Sequence, residues 1–388
     1  MAGQSNGLGG RTGGVPTGGF GGAIPPFNLF QYGFDASWEL DVWGKVRRAI
    51  EGARATVQAQ EEARRDTLVS MMAEAANDYI QLRGAQRTEQ VTRANLASAQ
   101  ESLAIAAERA RGGVGTDVDV ANAQATVAST EAQLPQITQQ EGQFINAIGF
   151  LLGETPGALT AELATPAPIP PAPATVPIGL PSQLAERRPD IREAEAQLHS
   201  ATAAIGVAQA DFYPQITLTG SLAIQALQFR DLGNWNARTY GLGPSITLPI
   251  FQGGRIRATV ALRREQEQEA ALSFQRTVLN AFQEVDNALI AYHSEQLRRD
   301  ALRAAVDANR RALGLATQRY RQGISDYLDV LTAQRSLLAA EQQLASSTTQ
   351  ASTNLVQLYK ALGGGWQDAD LPDQVAAAPE GEPQRRPR

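Results

Sequence analysis

Two aspartates occupy equivalent places in this chain of 388 residues, Asp119 within Val118-Asp119-Val120 and Asp329 within Leu328-Asp329-Val330. Each follows a glycine-containing turn, where a carboxylate in the first turn of a helix is favoured by the helix dipole. Few other residues offer chemistry. His199 and His293 have no neighbour at metal-ligand spacing, so both read as solvated or interfacial side chains. Gly44-Lys45-Val46 lacks the upstream glycine of a phosphate loop, and neither a nucleophile elbow nor a zinc-binding helix motif is present. The absence of cysteine removes disulfides and thiolate metal sites. Runs such as Arg187-Arg188 read as solvated helix faces, and a net charge of −6 gives no case for nucleic acid. The residues point away from an enzyme, and no cofactor or metal is expected.

The elements that carry the two aspartates are duplicated. Residues 44 to 153 repeat as 254 to 363 without a gap. The clearest block sets Arg109-Ala110-Arg111-Gly112-Gly113-Val114 against Arg319-Tyr320-Arg321-Gln322-Gly323-Ile324. Upstream, Tyr32-Gly33, Ser37, Leu40 and Trp43 align with Tyr240-Gly241, Ser245, Leu248 and Phe251, and Gln252-Gly253 absorbs a two-residue shift.

Each copy opens with the period-two alternation of a half-buried strand. Phe34, Ala36, Trp38, Leu40 and Val42 fall on one face, and Asp35, Ser37, Glu39 and Asp41 on the other. Leu242, Ile246, Leu248 and Ile250 form the equivalent face in the second copy, preceded by an alternating run from Ile216 to Ile224. Runs of about ten residues suit a tilted membrane strand, although a soluble sandwich has the same alternation.

From Gly44 to Arg111 and from Gly254 to Arg321 there is no proline, which predicts two helices on the order of 100 Å long. Phe274, Val278, Ala281, Val285, Ala288 and Tyr292 mark a narrow heptad stripe, matched upstream by Leu68, Met71, Ala75 and Leu82. Gly113 and Gly323 end the long helices, and Thr116 or Asp117 and Ser325 or Asp326 cap the returning ones. These run over about 117 to 152 and 326 to 362, with a kink expected at Pro135. The organisation read from the sequence is a glycine-rich loop (1–31), a first repeat of strand plus helical hairpin (32–153), a proline-rich linker (154–183), a second repeat of helix, two strands and hairpin (184–363), and a disordered tail (364–388).

No run of 18 apolar residues exists, so any membrane role must use strands. Three or four strands cannot close a barrel, and strands in lipid need every backbone group paired. Several chains must therefore share one barrel, and the same symmetry gathers the hairpins into a second tube. The fold class is mostly α with membrane β-strands. The first 22 residues include ten glycines and no signal-peptide pattern. The second copy has a helix and a strand with no counterpart before the first, so a shortened N-terminus is expected.

The chain resembles the TolC-like outer-membrane efflux proteins, and within them the OprM-like or NodT subfamily. Ser37-Trp38-Glu39-Leu40-Asp41-Val42-Trp43-Gly44, Glu186-Arg187-Arg188-Pro189-Asp190-Ile191-Arg192, Phe212-Tyr213-Pro214, Leu248-Pro249-Ile250-Phe251, Tyr327-Leu328-Asp329-Val330-Leu331 and Leu358-Tyr359-Lys360-Ala361-Leu362-Gly363 carry the resemblance. It implies a homotrimer in the bacterial outer membrane, with a 12-stranded β-barrel and a periplasmic α-barrel. It also implies a periplasmic adaptor and an inner-membrane RND transporter as partners, and lipidation of a cysteine that this chain lacks. Matched to this sequence, the adaptor-docking tips fall on Arg111, Gly113, Val114, Arg321, Gly323 and Ile324. The constricting gate falls on Leu328 and Asp329, with Asp119 and Tyr320 nearby. Thr332 stands where the family often has a second aspartate, which removes one carboxylate ring. A trimer of three-stranded chains would have nine strands rather than twelve. The expected function is a passive exit duct of a tripartite pump. The rivals are the duct of a one-step protein secretion system and a soluble coiled-coil scaffold.

Overall fold

The computed structural model describes residues 28–171, 173 and 187–364. Most of the expected glycine loop, much of the linker and nearly all of the tail lie outside them. In chain order the elements are β1 (Phe30–Glu39), α1 (Lys45–Arg111), α2 (Asp117–Glu131), α3 (Leu134–Leu151), α4 (Thr160–Leu163), α5 (Pro189–Ala210), β2 (Gln215–Ala226), β3 (Arg238–Thr247), α6 (Arg255–Arg321) and α7 (Tyr327–Ala361). They form two compact units. The strand unit runs through Lys45 and over Gln209–Ile256, and the helical unit takes Val46–Ala208 and Arg257 onward.

In the strand unit, β1 and β3 flank β2 and both pair with it in antiparallel register. The register places Tyr32 opposite Ile224, Phe34 opposite Leu222, and Trp38 opposite Leu218. Leu222 in turn faces Tyr240, Gly220 faces Leu242, and Ile216 faces Ile246. Because strand side chains alternate, every one of these residues lies on one side of the sheet, and Asp35, Ser37, Ser221, Thr219, Thr217, Ser245 and Thr247 lie on the other. The apolar side is not a core. Phe34 is 85% exposed, Tyr240 85% and Leu242 81%. β1 begins at Phe30, inside the segment expected as loop, because Phe30 and Gln31 pair with Ala226 and Gln225. Leu40 and Val42 lie beyond its end. Trp43 stacks on Tyr213 at 4.7 Å and donates to the Pro214 carbonyl at 2.8 Å, while Lys45 reaches Asp211 at 2.9 Å.

In the helical unit, α1 and α6 are each 67 residues long and begin and end at positions 210 apart, as the repeat requires. The α6 stripe expected from Phe274 to Tyr292 turns inward, with Ala281, Val285 and Tyr292 buried. The expected α1 stripe is covered only in part, with Leu82 fully buried and Leu68 and Ala75 half-buried. Met71 is 44% exposed, and the buried line runs through Ala55, Ala59, Glu62, Val69, Ala73 and Ile80. α5, which opens the second copy and has no counterpart before the first, fixes this register. Thr56 meets Ser200 at 3.1 Å, Arg192 meets Glu62 at 3.0 Å, and a Cβ on Gly52 would sit 3.5 Å from that of Ala203. The first return is not one kinked helix. It breaks at Ala132-Gln133 into α2 and α3, with Pro135 in the first turn of α3, where its missing N–H costs nothing.

The linker region includes the short helix α4, which was not expected. Arg83 donates to the Thr165 carbonyl at 2.8 Å and Gln86 to that of Leu163 at 2.9 Å. Further along, Ser352 donates to the Pro170 carbonyl at 3.1 Å and Tyr292 to that of Pro173. Arg188, 7% exposed, binds Asp190 and Glu284, each at 2.7 Å, and the Ala361 carbonyl at 2.9 Å, so one guanidinium joins α5, α6 and the end of α7. Among the described residues, no helix is long and apolar enough to cross a membrane.

Candidate functional site

The tip of the helical unit is built from two turns with one backbone design. Val114 N–H donates to the Arg109 carbonyl and Gly113 N–H to that of Ala110, each at 3.0 Å. Ile324 to Arg319 and Gly323 to Tyr320 repeat those bonds at 3.0 Å each. This double closure satisfies the last carbonyls of a helix and needs a left-handed residue, which Gly113 and Gly323 supply at φ +72° each.

The returning helices start differently. Thr116 caps α2 by accepting from Asp119 N–H at 3.2 Å, and the Asp119 carboxylate accepts from Thr116 N–H at 3.4 Å. Asp326 caps α7 without any side-chain bond, so the Asp329 carboxylate is exposed and plays no such part. Thr332 donates its hydroxyl to the Leu328 carbonyl at 2.8 Å on its own helix.

Four apolar side chains point into solvent at the tip, in two pairs related by the repeat. Val114 is 71% exposed and Ile324 62%, while Val118 and Leu328 are each 66% exposed. Arg321 pairs with Glu101 at 2.6 Å across the two hairpins, and Arg111 bonds the Ala107 carbonyl on its own helix.

Behind these residues lies an interior. Tyr320, expected beside the constriction, is 3% exposed and packs with Tyr327 (1%), Ala106, Ala123, Val330 and Leu331. The two tyrosine rings meet edge to face at 5.4 Å, and the Arg109 guanidinium lies 4.7 Å over the Tyr320 ring. Arg109 also donates to the Tyr320 carbonyl at 2.7 Å, which ties the end of α1 to the end of α6. Burial, then the negative charge of neighbouring groups, raises both phenols, that of Tyr327 to about 12. Sequence reasoning missed Tyr327 and Arg109 as parts of the tip. The signal was the broken repeat, since Tyr320 and Tyr327 stand against Ala110 and Asp117 and the aromatic pair exists in the second copy alone.

The structure thus brings Leu328, Asp329, Thr332, Val114 and Ile324 to one exposed tip, with Asp119 half-buried at its cap and Tyr320 inside. Comparison with known proteins agrees with such an assembly of strands and paired hairpins. The outer membrane protein OprJ of Pseudomonas aeruginosa is 37% identical over 333 residues, 85% of this chain and 69% of the relative. The toluene efflux pump outer membrane protein TtgI of Pseudomonas putida is 35% identical over 338 residues, 87% of this chain and 71% of the relative. Among solved structures, the outer-membrane channel OprN superposes with a TM-score of 0.81 at 37% identity, covering 87% of this chain and 76% of that one. The open state of the MtrE outer membrane channel of Neisseria gonorrhoeae gives a TM-score of 0.74 at 29% identity, over 88% of this chain and 81% of that one. The sequence model of the family described as "Outer membrane efflux protein" matches residues 11–154 and 180–364. On that match, and on relatives that this chain covers over two thirds of their length, the chain belongs to the outer membrane efflux protein family.

Proposed function

We propose that the chain is the outer-membrane exit duct of a tripartite RND-type efflux pump, a homotrimer that passes solute without chemistry of its own. The observation that carries this is the sheet, with one side apolar and largely exposed except for Arg238 at its end, and the other side polar except for Ala223 and glycines. A soluble sandwich buries its apolar side, whereas a membrane barrel presents that side to lipid and lines its lumen with the other. Aromatic side chains toward both ends of the sheet, Tyr32 and Tyr240 at one and Trp38 at the other, suit the two interfaces of a bilayer.

The trimer is supported by a second surface. Leu272, Leu279, Ile290, Leu297 and Leu315 recur on one face of α6 and are 58 to 63% exposed. A stripe of that length on a helix more than 60 residues long fits packing against a neighbouring subunit. In this reading Leu328 and Asp329 form the constricting ring, with Asp119 and Thr332 beside it. Val114, Ile324, Gly113, Gly323, Arg111 and Arg321 form the face that meets a periplasmic adaptor.

Membrane fractionation followed by mass determination in detergent tests the proposal. An integral outer-membrane trimer is expected, and extraction as a monomer without detergent would favour the scaffold reading instead.

A further inference from the structure

The two long helices open with the same basic spacing. Lys45, Arg47 and Arg54 of α1 stand against Arg255, Arg257 and Arg264 of α6, each 210 residues on. Over the first ten residues of α1 the charges are Lys45, Arg47, Arg48 and Arg54 against Glu51, and over those of α6 they are Arg255, Arg257, Arg263 and Arg264 with no acid. That is +3 and +4 in a chain of net charge −6. The positive end of a helix dipole disfavours such residues, so helix stability is not their cause.

On α1, residues 47, 50, 54 and 58 share one face, which with His199 of α5 lines an open cleft of about 450 Å³. Arg47 and Arg54 flank it and Ile50, 46% exposed, lies between them. Glu51, on the same lining, stays ionised and offsets one of the two positive charges of Arg47 and Arg54. Its oxygens bind His199 at 2.9 Å and Arg48 at 2.7 Å, and these contacts hold its carboxyl below the usual range. A lining that sets the Arg54 guanidinium beside the exposed Ile50 suits a phosphate that carries a hydrocarbon body.

We propose that this cleft, with the matched Arg257 and Arg264 on α6, binds the headgroups of anionic phospholipid on the helical side of the membrane. The inference rests on the proposed membrane role of the strands. Its position follows from chain connectivity. Arg47 and Arg54 lie within about 3 and 14 Å of the start of α1 along its axis. Lys45, that first residue, belongs to the strand unit and follows the strand end Glu39 by only six positions. Basic side chains that follow a membrane strand within a few residues of chain are drawn to an anionic leaflet.

The test uses the full chain in neutral detergent micelles with equal amounts of phosphatidylglycerol and phosphatidylcholine. Retained lipid is quantified after size-exclusion chromatography at low and high salt. Phosphatidylglycerol should be retained over phosphatidylcholine by about fivefold or more at low salt, fivefold being what one surface arginine would give. The preference should collapse at high salt and in Arg54→Gln/Arg264→Gln. Equal retention, or a preference that survives both changes, would overturn the proposal. The salt comparison on the unaltered chain decides the matter even if the variant misfolds. Displacement of the lipid by inorganic phosphate would assign the cleft to a free anion and also overturn it. Alkaline carbonate extraction of cell membranes is read in parallel. A chain that comes off without detergent refutes the membrane reading itself, whereas an integral chain without lipid preference refutes only the cleft.

Discussion

Asp119 and Asp329 hold the same place in two copies and do different work. Asp119 completes a reciprocal cap with Thr116, so Asp119→Ala should lower stability by about 1 kcal/mol in chemical denaturation. Asp329 has no such role, and Asp329→Ala should leave stability within roughly 0.5 kcal/mol. It should raise the single-channel conductance of the isolated protein, and an unchanged conductance would remove Asp329 from the proposed gate. Tyr327 makes the tip sensitive to alkali. Its phenol is raised from 10 to about 12, mainly by burial, so its stabilising contribution is complete below pH 10 and is lost as the pH climbs toward 12. Melting temperatures should fall over that window in the native chain and fall less in Tyr327→Phe. Neither this tyrosine nor Arg109 was legible from composition or motif. Their roles depend on which face of α6 and α7 turns toward α1, and only packing sets that.

At the scale of elements the sequence was most informative where chemistry is local. The long helices, their glycine turns and the Thr116 cap follow from proline-free runs, left-handed glycine and a side-chain cap, whereas Asp326 caps its helix with no side-chain bond, and the boundaries of the two long helices match the repeat. Register was less legible. Met71 reads as core by heptad spacing but is exposed, because the α1 face is chosen by α5 rather than by a second copy of the same hairpin. The break at Ala132-Gln133 was visible as a proline and misread as a kink, since Pro135 starts a helix instead of bending one. Close helix contact depends on Gly84, where a Cβ would lie 2.3 Å from Thr349 Oγ1 and 2.8 Å from its Cγ2. Gly84→Ala should therefore cost about 1–3 kcal/mol. Thr349→Ala in the same chain should restore part of it, as a double-mutant cycle by urea unfolding would show.

At the scale of the molecule, the division of the sheet into two faces gives a paired prediction. Leu222→Arg places a cation on the apolar side and should cost roughly 2–4 kcal/mol if that side meets lipid near its midplane. Ser221→Arg, on the other side, should be tolerated. Heat-modifiable migration of the membrane-inserted protein separates the two, and equal tolerance would argue against lipid on the Leu222 side. Strand direction carries a consequence of its own. β1 and β3 are both antiparallel to β2, so the two outer strands point the same way. When identical subunits that contribute only these three strands are joined edge to edge in a ring, every junction sets a β3 beside a β1 of like direction. Such a wall changes from antiparallel to parallel pairing once per subunit, whatever their number, and its hydrogen bonds slant at each seam. An even count of strands per subunit is the arithmetic condition for a wall that alternates throughout.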